Sequence, residues 1–185
     1  MIISKKDENS AHLTSQILQK GGIVIIPTDT VYGFSGIVNS STDKKIRQIK
    51  GRDENKPFIQ LIAEPEDIFN YTDDFIPPEI IKKWPGALTI IVHDKTNFAQ
   101  TTAFRCPKDD WLRNIIKQSN SPIFSTSVNK SGCPILETPQ AIKNTFENEV
   151  DIIVDDGEKK GALPSTLITL EKGIVKVLRQ GEVVL

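Results

Sequence analysis

The chain of 185 residues has few of the residues that hold metals or form disulfides. It has two cysteines, Cys106 and Cys133, each followed by proline, and two histidines, His12 and His93. There is no CxxC pair and no histidine spacing suited to a metal, which argues against a zinc or redox-dithiol centre. One disulfide fits the count, but the favoured reading is two buried or half-buried thiols in a reducing compartment. Long apolar runs are absent too, far short of the ~20 residues of a membrane span. The start, MIISKKDENS, has no apolar core and no small-residue cleavage site. The expectation is a cytoplasmic protein without membrane contact. Nor is there excess charge: 23 Lys and Arg against 24 Asp and Glu give a formal net charge of -1. That excludes a coat protein held by general phosphate neutralisation, while leaving room for a local basic groove. A GxxxxGK[ST] loop and a GxSxG elbow are missing, excluding the P-loop and the strand-elbow hydrolases. With no internal repeat, low-complexity tract or domain-separating linker, the expectation is one domain over 1–185, long enough to bury a core without staples.

What is present alternates between strand and helix. NSAHLTSQILQKGG reads as a first helix, with Ser10 as its cap and Gly21 as its end. GIVIIPTDT reads as a buried strand stopped by proline, and SSTDKKIRQIK as a helix capped by Ser41 or Thr42 with Ile46 and Ile49 inward. KPFIQLIA, GALTIIVHD, TTAFRCP and SPIFSTSVN read as strands. PEDIFNYT, PPEIIKKW and TPQAIKNTF open as helices on proline, and KDDWLRNIIKQS is a helix with acids in its first turn. VDIIVDDG, STLITL and IVKVLRQG are late strands, and DDGEKKGALPS is the best candidate for a mobile loop. Trp84 and Trp111 belong in the core or under a loop. This order predicts an α/β fold: a single domain with a twisted, mixed parallel and antiparallel sheet flanked by helices.

Hydroxyl and cationic residues recur at the strand ends: PTDTVYG, KGRDENKP, Arg105, STSVNKSG, LPST and LRQG. In an open α/β sheet such ends build the ligand crevice. Arg52, Arg105 and Arg179 suit forked contacts to phosphate or carboxylate oxygens, and Lys50 and Lys56 add point charges. Ser125, Ser127, Asn129, Ser131, Ser165 and Thr166 supply neutral donors. Gly33, Gly36, Gly132, Gly161 and Gly181 leave room for close backbone approach. Each stretch taken alone has a plainer reading. KGRDENKP fits a solvated helix end with Asp53 and Glu54 as partners, PTDTVYG a turn with a capping threonine, and Asp155-Asp156 an acidic turn rather than a metal site.

Taken together and in order, PTDTVYG, KGRDENKP, PGALTIIV, AFRCP, STSVNKSG, LPSTLI and VLRQG resemble the YrdC-like family of threonylcarbamoyl-AMP synthases, over residues 27–181. The resemblance implies a YrdC-like domain with a positively charged concave cleft. It implies formation of threonylcarbamoyl-AMP and pyrophosphate from L-threonine, bicarbonate and ATP with Mg2+. A downstream threonylcarbamoyl-transferase complex would then modify adenosine 37 of tRNA. Carried over, Lys50, Arg52 and Lys56 are the catalytic cations. Arg52, Lys56, Ser127, Asn129 and Arg179 bind ATP, and Thr30, Arg105, Ser125 and Ser165 hold threonine; no protein metal ligand is expected. Where some relatives carry a histidine this chain has Leu61, and Val128 and Phe34 are further departures expected in the pocket wall. Two alternatives stand beside this reading: an RNA-binding module contacting tRNA, rRNA or double-stranded RNA without catalysis, and a paralogue acting on a related carbamoyl-adenylate.

Overall fold

The run Ile23-Val24-Ile25-Ile26 is apolar at every position because the strand it forms is covered on both faces. The computed structural model describes residues 1–53, 56–171 and 174–185, and in it β2 (Val24–Ile26) is wholly buried. Successive side chains of a strand point to opposite faces. Val24 and Ile26 enter a cluster with Leu18, Leu112 and Ile115, and Ile25 enters another with Ile46, Ile142 and Phe146. The first cluster lies under α1 (Ser10–Gln19) and α4 (Asp110–Ser119), the second under α2 (Ser40–Lys50) and α5 (Pro139–Phe146). The fifth helix, α3 (Pro78–Ile81), is short and contributes Ile80 to a third cluster with Trp84, Leu88 and Phe104.

The remaining strands are β1 (Ile2–Ser4), β3 (Gly33–Ser35), β4 (Ile59–Leu61), β5 (Leu88–Asp94), β6 (Asn97–Arg105), β7 (Ile123–Ser127), β8 (Ile152–Asp155), β9 (Thr166–Glu171) and β10 (Ile174–Arg179). All join in one mixed sheet of order β1-β8-β2-β3-β7-β4-β6-β5-β9-β10. β1 pairs with β8, β8 with β2, β4 with β6 and β5 with β9 in parallel, and the other neighbours are antiparallel. This is the mixed α/β architecture that the strand and helix order predicts.

Several local readings change. β1 and β3 are strands that the sequence reading did not separate: β1 is a largely exposed edge strand, and β3 is the short GFS segment that follows the PTDT turn. PEDIFNYT forms a 3₁₀ turn, Pro65–Asn70, rather than an α-helix. The cap of α2 is Asn39, whose Oδ1 accepts the Ser41 and Thr42 amides, both at 2.9 Å. Ser10 is the first residue of α1 and not its cap; its Oγ donates to the Lys5 carbonyl at 2.8 Å. Cys106 is buried, but Cys133 is exposed, and the two thiols are free. Glu54, read as an acidic partner of the basic stretch, lies outside the described residues.

The strands also set which side chains meet a ligand. On β5, β6 and β9, Leu88, Ile90, Phe104, Ile168 and Leu170 face the third cluster. Their alternate neighbours Ile91, Ala103, Arg105 and Leu167 line a cavity on the opposite face.

Candidate functional site

The cavity has a volume of about 460 Å³. Eight of the ten residues singled out in the sequence line it: Thr30, Arg52, Lys56, Arg105, Ser125, Ser127, Ser165 and Arg179. Four of these are cationic, and no carboxylate lines the cavity among the described residues.

One wall is the PTDT turn that follows β2. Thr28 Oγ1 donates to the Val31 carbonyl at 2.8 Å and accepts the Thr30 amide at 3.0 Å. With its own proton committed, Thr28 Oγ1 accepts the Thr30 hydroxyl at 2.9 Å. Thr30 Oγ1 in turn accepts from Arg105 Nη1 at 2.9 Å. Arg105 is 5% exposed. Its Nη2 pairs with Asp29 Oδ1 at 2.5 Å and its Nε donates to the Gly86 carbonyl at 3.2 Å. The Lys108 amide occupies the other Asp29 oxygen at 2.9 Å. A buried guanidinium needs such pairing, and the turn supplies it.

A second wall joins β9 to β10. Arg179 donates through Nη2 and Nε to the Ser165 carbonyl at 2.8 and 3.2 Å, and the Ser165 and Thr89 hydroxyls lie 2.7 Å apart. Burial, and then the charge of Arg105, holds the Arg179 pKa below its ordinary value. Gly181 is obligatory here, since a Cβ would sit 2.2 Å from the Pro164 carbonyl. At β3, a Cβ on Gly33 would meet Ser125 Oγ at 2.9 Å, so the glycine keeps the cavity floor open.

The third wall is the basic stretch after α2. Arg52 donates to the Lys56 carbonyl at 3.1 Å and the Pro57 carbonyl at 3.3 Å. Its guanidinium lies 5.2 Å from the Phe58 ring centroid, with Arg47 at 4.7 Å from the same ring. Burial and the charge of Arg47 lower the Arg52 pKa.

Two of the predicted residues stand elsewhere. Lys50 is 1% exposed and does not line the cavity. Its Nζ donates to the Ser127 carbonyl and, at 2.9 and 3.0 Å, to the Asn129 carbonyl and Oδ1. All three ammonium protons are therefore used inside the protein. Asn129 is spent in the same way: Oδ1 accepts from Lys50 and from Ser127 Oγ at 2.8 Å, and Nδ2 donates to the Lys130 and Cys133 carbonyls. The pair forms the frame of the STSVN loop. Leu61, Phe34 and Val128 are core residues and none lines the cavity. Asp156 is paired with Lys5 at 3.2 Å and Lys159 at 2.9 Å, and no group of three or more His, Cys, Asp or Glu among the described residues is placed to hold a metal.

Sequence reasoning passed over Thr28, Asp29, Tyr32 and Thr89. Three of them stood inside PTDTVYG, where a carboxylate flanked by two threonines in a turn is the signal of a hydrogen-bonded anchor.

Comparison with known proteins gives the family and the fold. A family model named Sua5/YciO/YrdC, described as telomere recombination, matches residues 16–181. A Methanocaldococcus jannaschii protein is 33% identical over 177 residues, covering 91% of this chain and 84% of its own. The threonylcarbamoyl-AMP synthase of Bacillus subtilis is 31% identical, covering 89% of this chain and 51% of its own. The crystal structure of Pyrococcus abyssi Sua5 complexed with L-threonine superposes with a TM-score of 0.87 at 28% identity, covering 98% of this chain and 57% of that one. The chain thus spans about half the length of the Bacillus and Pyrococcus proteins and most of the Methanocaldococcus one.

Proposed function

The chain belongs to the Sua5/YciO/YrdC family, and on that premise we propose that it condenses L-threonine, bicarbonate and ATP into threonylcarbamoyl-AMP and pyrophosphate. The observation that carries the reading is the single cavity that gathers Arg52, Lys56, Arg105 and Arg179 around neutral hydroxyls without a lining carboxylate. Such a site suits a polyanion and a carboxylate side by side.

In the reaction the threonine amine gives up a proton and bonds to the bicarbonate carbon as water leaves, giving a carbamate. A carbamate oxygen then attacks the α-phosphorus of ATP, forming the mixed anhydride and releasing pyrophosphate. No covalent enzyme intermediate is needed, so alignment of three reactants supplies much of the acceleration. Arg52 and Lys56 stabilise charge on the phosphates. Arg105, held by Asp29 and Thr30, presents its remaining edge to the threonine carboxylate, with Ser125 and Ser165 beside it. The Ser127 hydroxyl gives its proton to Asn129, so its free lone pairs suit a ribose or adenine donor better than a phosphate. Magnesium would enter with the nucleotide and would offset phosphate charge beside Arg52 and Lys56, since no carboxylate among the described residues lines the cavity to hold it. Lys50 and Asn129 act by fixing the loop that carries Ser127. The product is a labile acyl adenylate, consistent with transfer of the threonylcarbamoyl group to tRNA adenosine 37 by a downstream complex.

The test is pyrophosphate release with ATP, magnesium and bicarbonate, comparing L-threonine with L-serine, glycine and no amino acid. Release that requires both threonine and bicarbonate is expected. Release independent of either, or none from folded protein, overturns the reading.

A further inference from the structure

β8 is the second strand of the sheet and β9 the ninth, with six strands between them. Residues 156–165, ten in all, make that connection. Seven strand spacings of ~4.8 Å amount to ~34 Å along a flat sheet. The eleven Cα steps from Asp155 to Thr166 reach only ~36–40 Å when fully extended. Gly157 and Gly161, with φ of 75° and 70°, turn the chain and shorten that reach. The segment therefore crosses the sheet with little slack. At its far end the segment supplies Pro164 and Ser165 to the cavity wall.

The segment is fastened at both ends. Near its end, the Thr166 amide donates to the Ala87 carbonyl at 2.9 Å. Midway, the Lys159 amide donates to the Glu137 carbonyl at 2.8 Å and the Gly161 amide to Glu137 Oε1 at 3.1 Å. At its start stands Tyr32, fully buried and also lining the cavity. The Tyr32 hydroxyl donates to the Gly157 carbonyl at 2.7 Å and accepts the Asp156 amide at 2.8 Å. Burial pushes its pKa up to about 12, so it keeps the proton it donates.

We propose that Tyr32 is a positioning residue: its hydroxyl anchors the start of the 156–165 strap and thereby sets where Pro164 and Ser165 close the cavity. The inference deepens the synthase reading above and rests on it for its kinetic readout only. Threonine binding depends on Ser165 in that reading, and Ser165 stands on the strap.

Tyr32→Phe removes one oxygen and keeps the ring in the core. Hydrogen exchange of the peptides over 156–163 is expected to rise about tenfold, with faster tryptic cleavage after Lys159 and Lys160. KM for L-threonine is expected to rise about tenfold with kcat within about threefold, a split that a general loss of folded enzyme does not give. Lys159→Met, which drops one ion pair of Asp156 and leaves the core intact, is expected to move hydrogen exchange and KM in the same direction, with tryptic cleavage then read after Lys160 alone. An unchanged exchange pattern in Tyr32→Phe, or a loosened strap with unchanged KM, overturns the proposal. If the wild-type chain releases no pyrophosphate, it is the synthase reading that fails, and the exchange result still decides whether Tyr32 anchors the strap.

Discussion

Lys50 offers the sharpest test of the site's frame. Burial, and secondarily the charge of Arg52, lowers its pKa from 10.5 to about 8. That shift corresponds to roughly 3 kcal/mol against the charged form. The folded chain gives up this proton near pH 8, the unfolded chain near 10.5. Between those values the unfolded state binds more protons, so stability climbs with pH. Lys50→Met removes the titrating group. At neutral pH two effects oppose each other in the variant. The buried charge is gone, but the Ser127 and Asn129 carbonyls lose a donor, at about 1–3 kcal/mol each. The two nearly cancel, so the midpoint at pH 7 is a poor reporter and the pH slope a good one. Urea unfolding of both proteins from about pH 7 to pH 10 is expected to give a difference that grows in favour of the wild type by ~2–3 kcal/mol. Lys5 and every other titrating group cancels in the comparison. Parallel curves would refute the argument, because they would mean that the ammonium is not held in a desolvated site.

Other outcomes follow from the same geometry. Arg52→Ala and Lys56→Ala should leave the circular dichroism spectrum unchanged and slow pyrophosphate release by about 10²-fold or more; near-normal turnover in both would remove them from the phosphate site. Arg105→Ala strands the Asp29 carboxylate, whose side chain is 13% exposed, and should cost about 3–5 kcal/mol in urea unfolding. An unchanged midpoint would mean that the pair is hydrated rather than buried. With a thiol reagent, the native chain should titrate at Cys133 alone, because burial pushes the Cys106 thiol up to about 12. Rapid reaction of both thiols without denaturant would contradict that placement.

The sequence by itself determined the class of fold and named most of the polar residues that line the cavity. Proline and glycine bound the elements, and short apolar runs such as Leu88 to Val92 mark the strands, although Ile91 is as apolar as its neighbours and only the sheet shows that it faces the cavity. The polar stretches PTDT, STS and PST mark strand ends, and each sends residues to the cavity. Residue type also marks Arg52, Lys56, Arg105 and Arg179 as candidates for anion contacts, and all four line the cavity. Only the tertiary structure decided which cations remain available to a ligand. Lys50 and Arg52 stand two apart in one stretch, yet three inward acceptors claim every proton of the first while the second reaches the cavity. Nothing local separates them, because the acceptors lie 77 and 79 residues away. β1 and β3 escaped notice for a related reason: an exposed edge segment and a GFS segment become strands only through partners far along the chain, β8 and β7. Tyr32 looked like part of a turn until the strap, more than 120 residues later, came back to meet its hydroxyl.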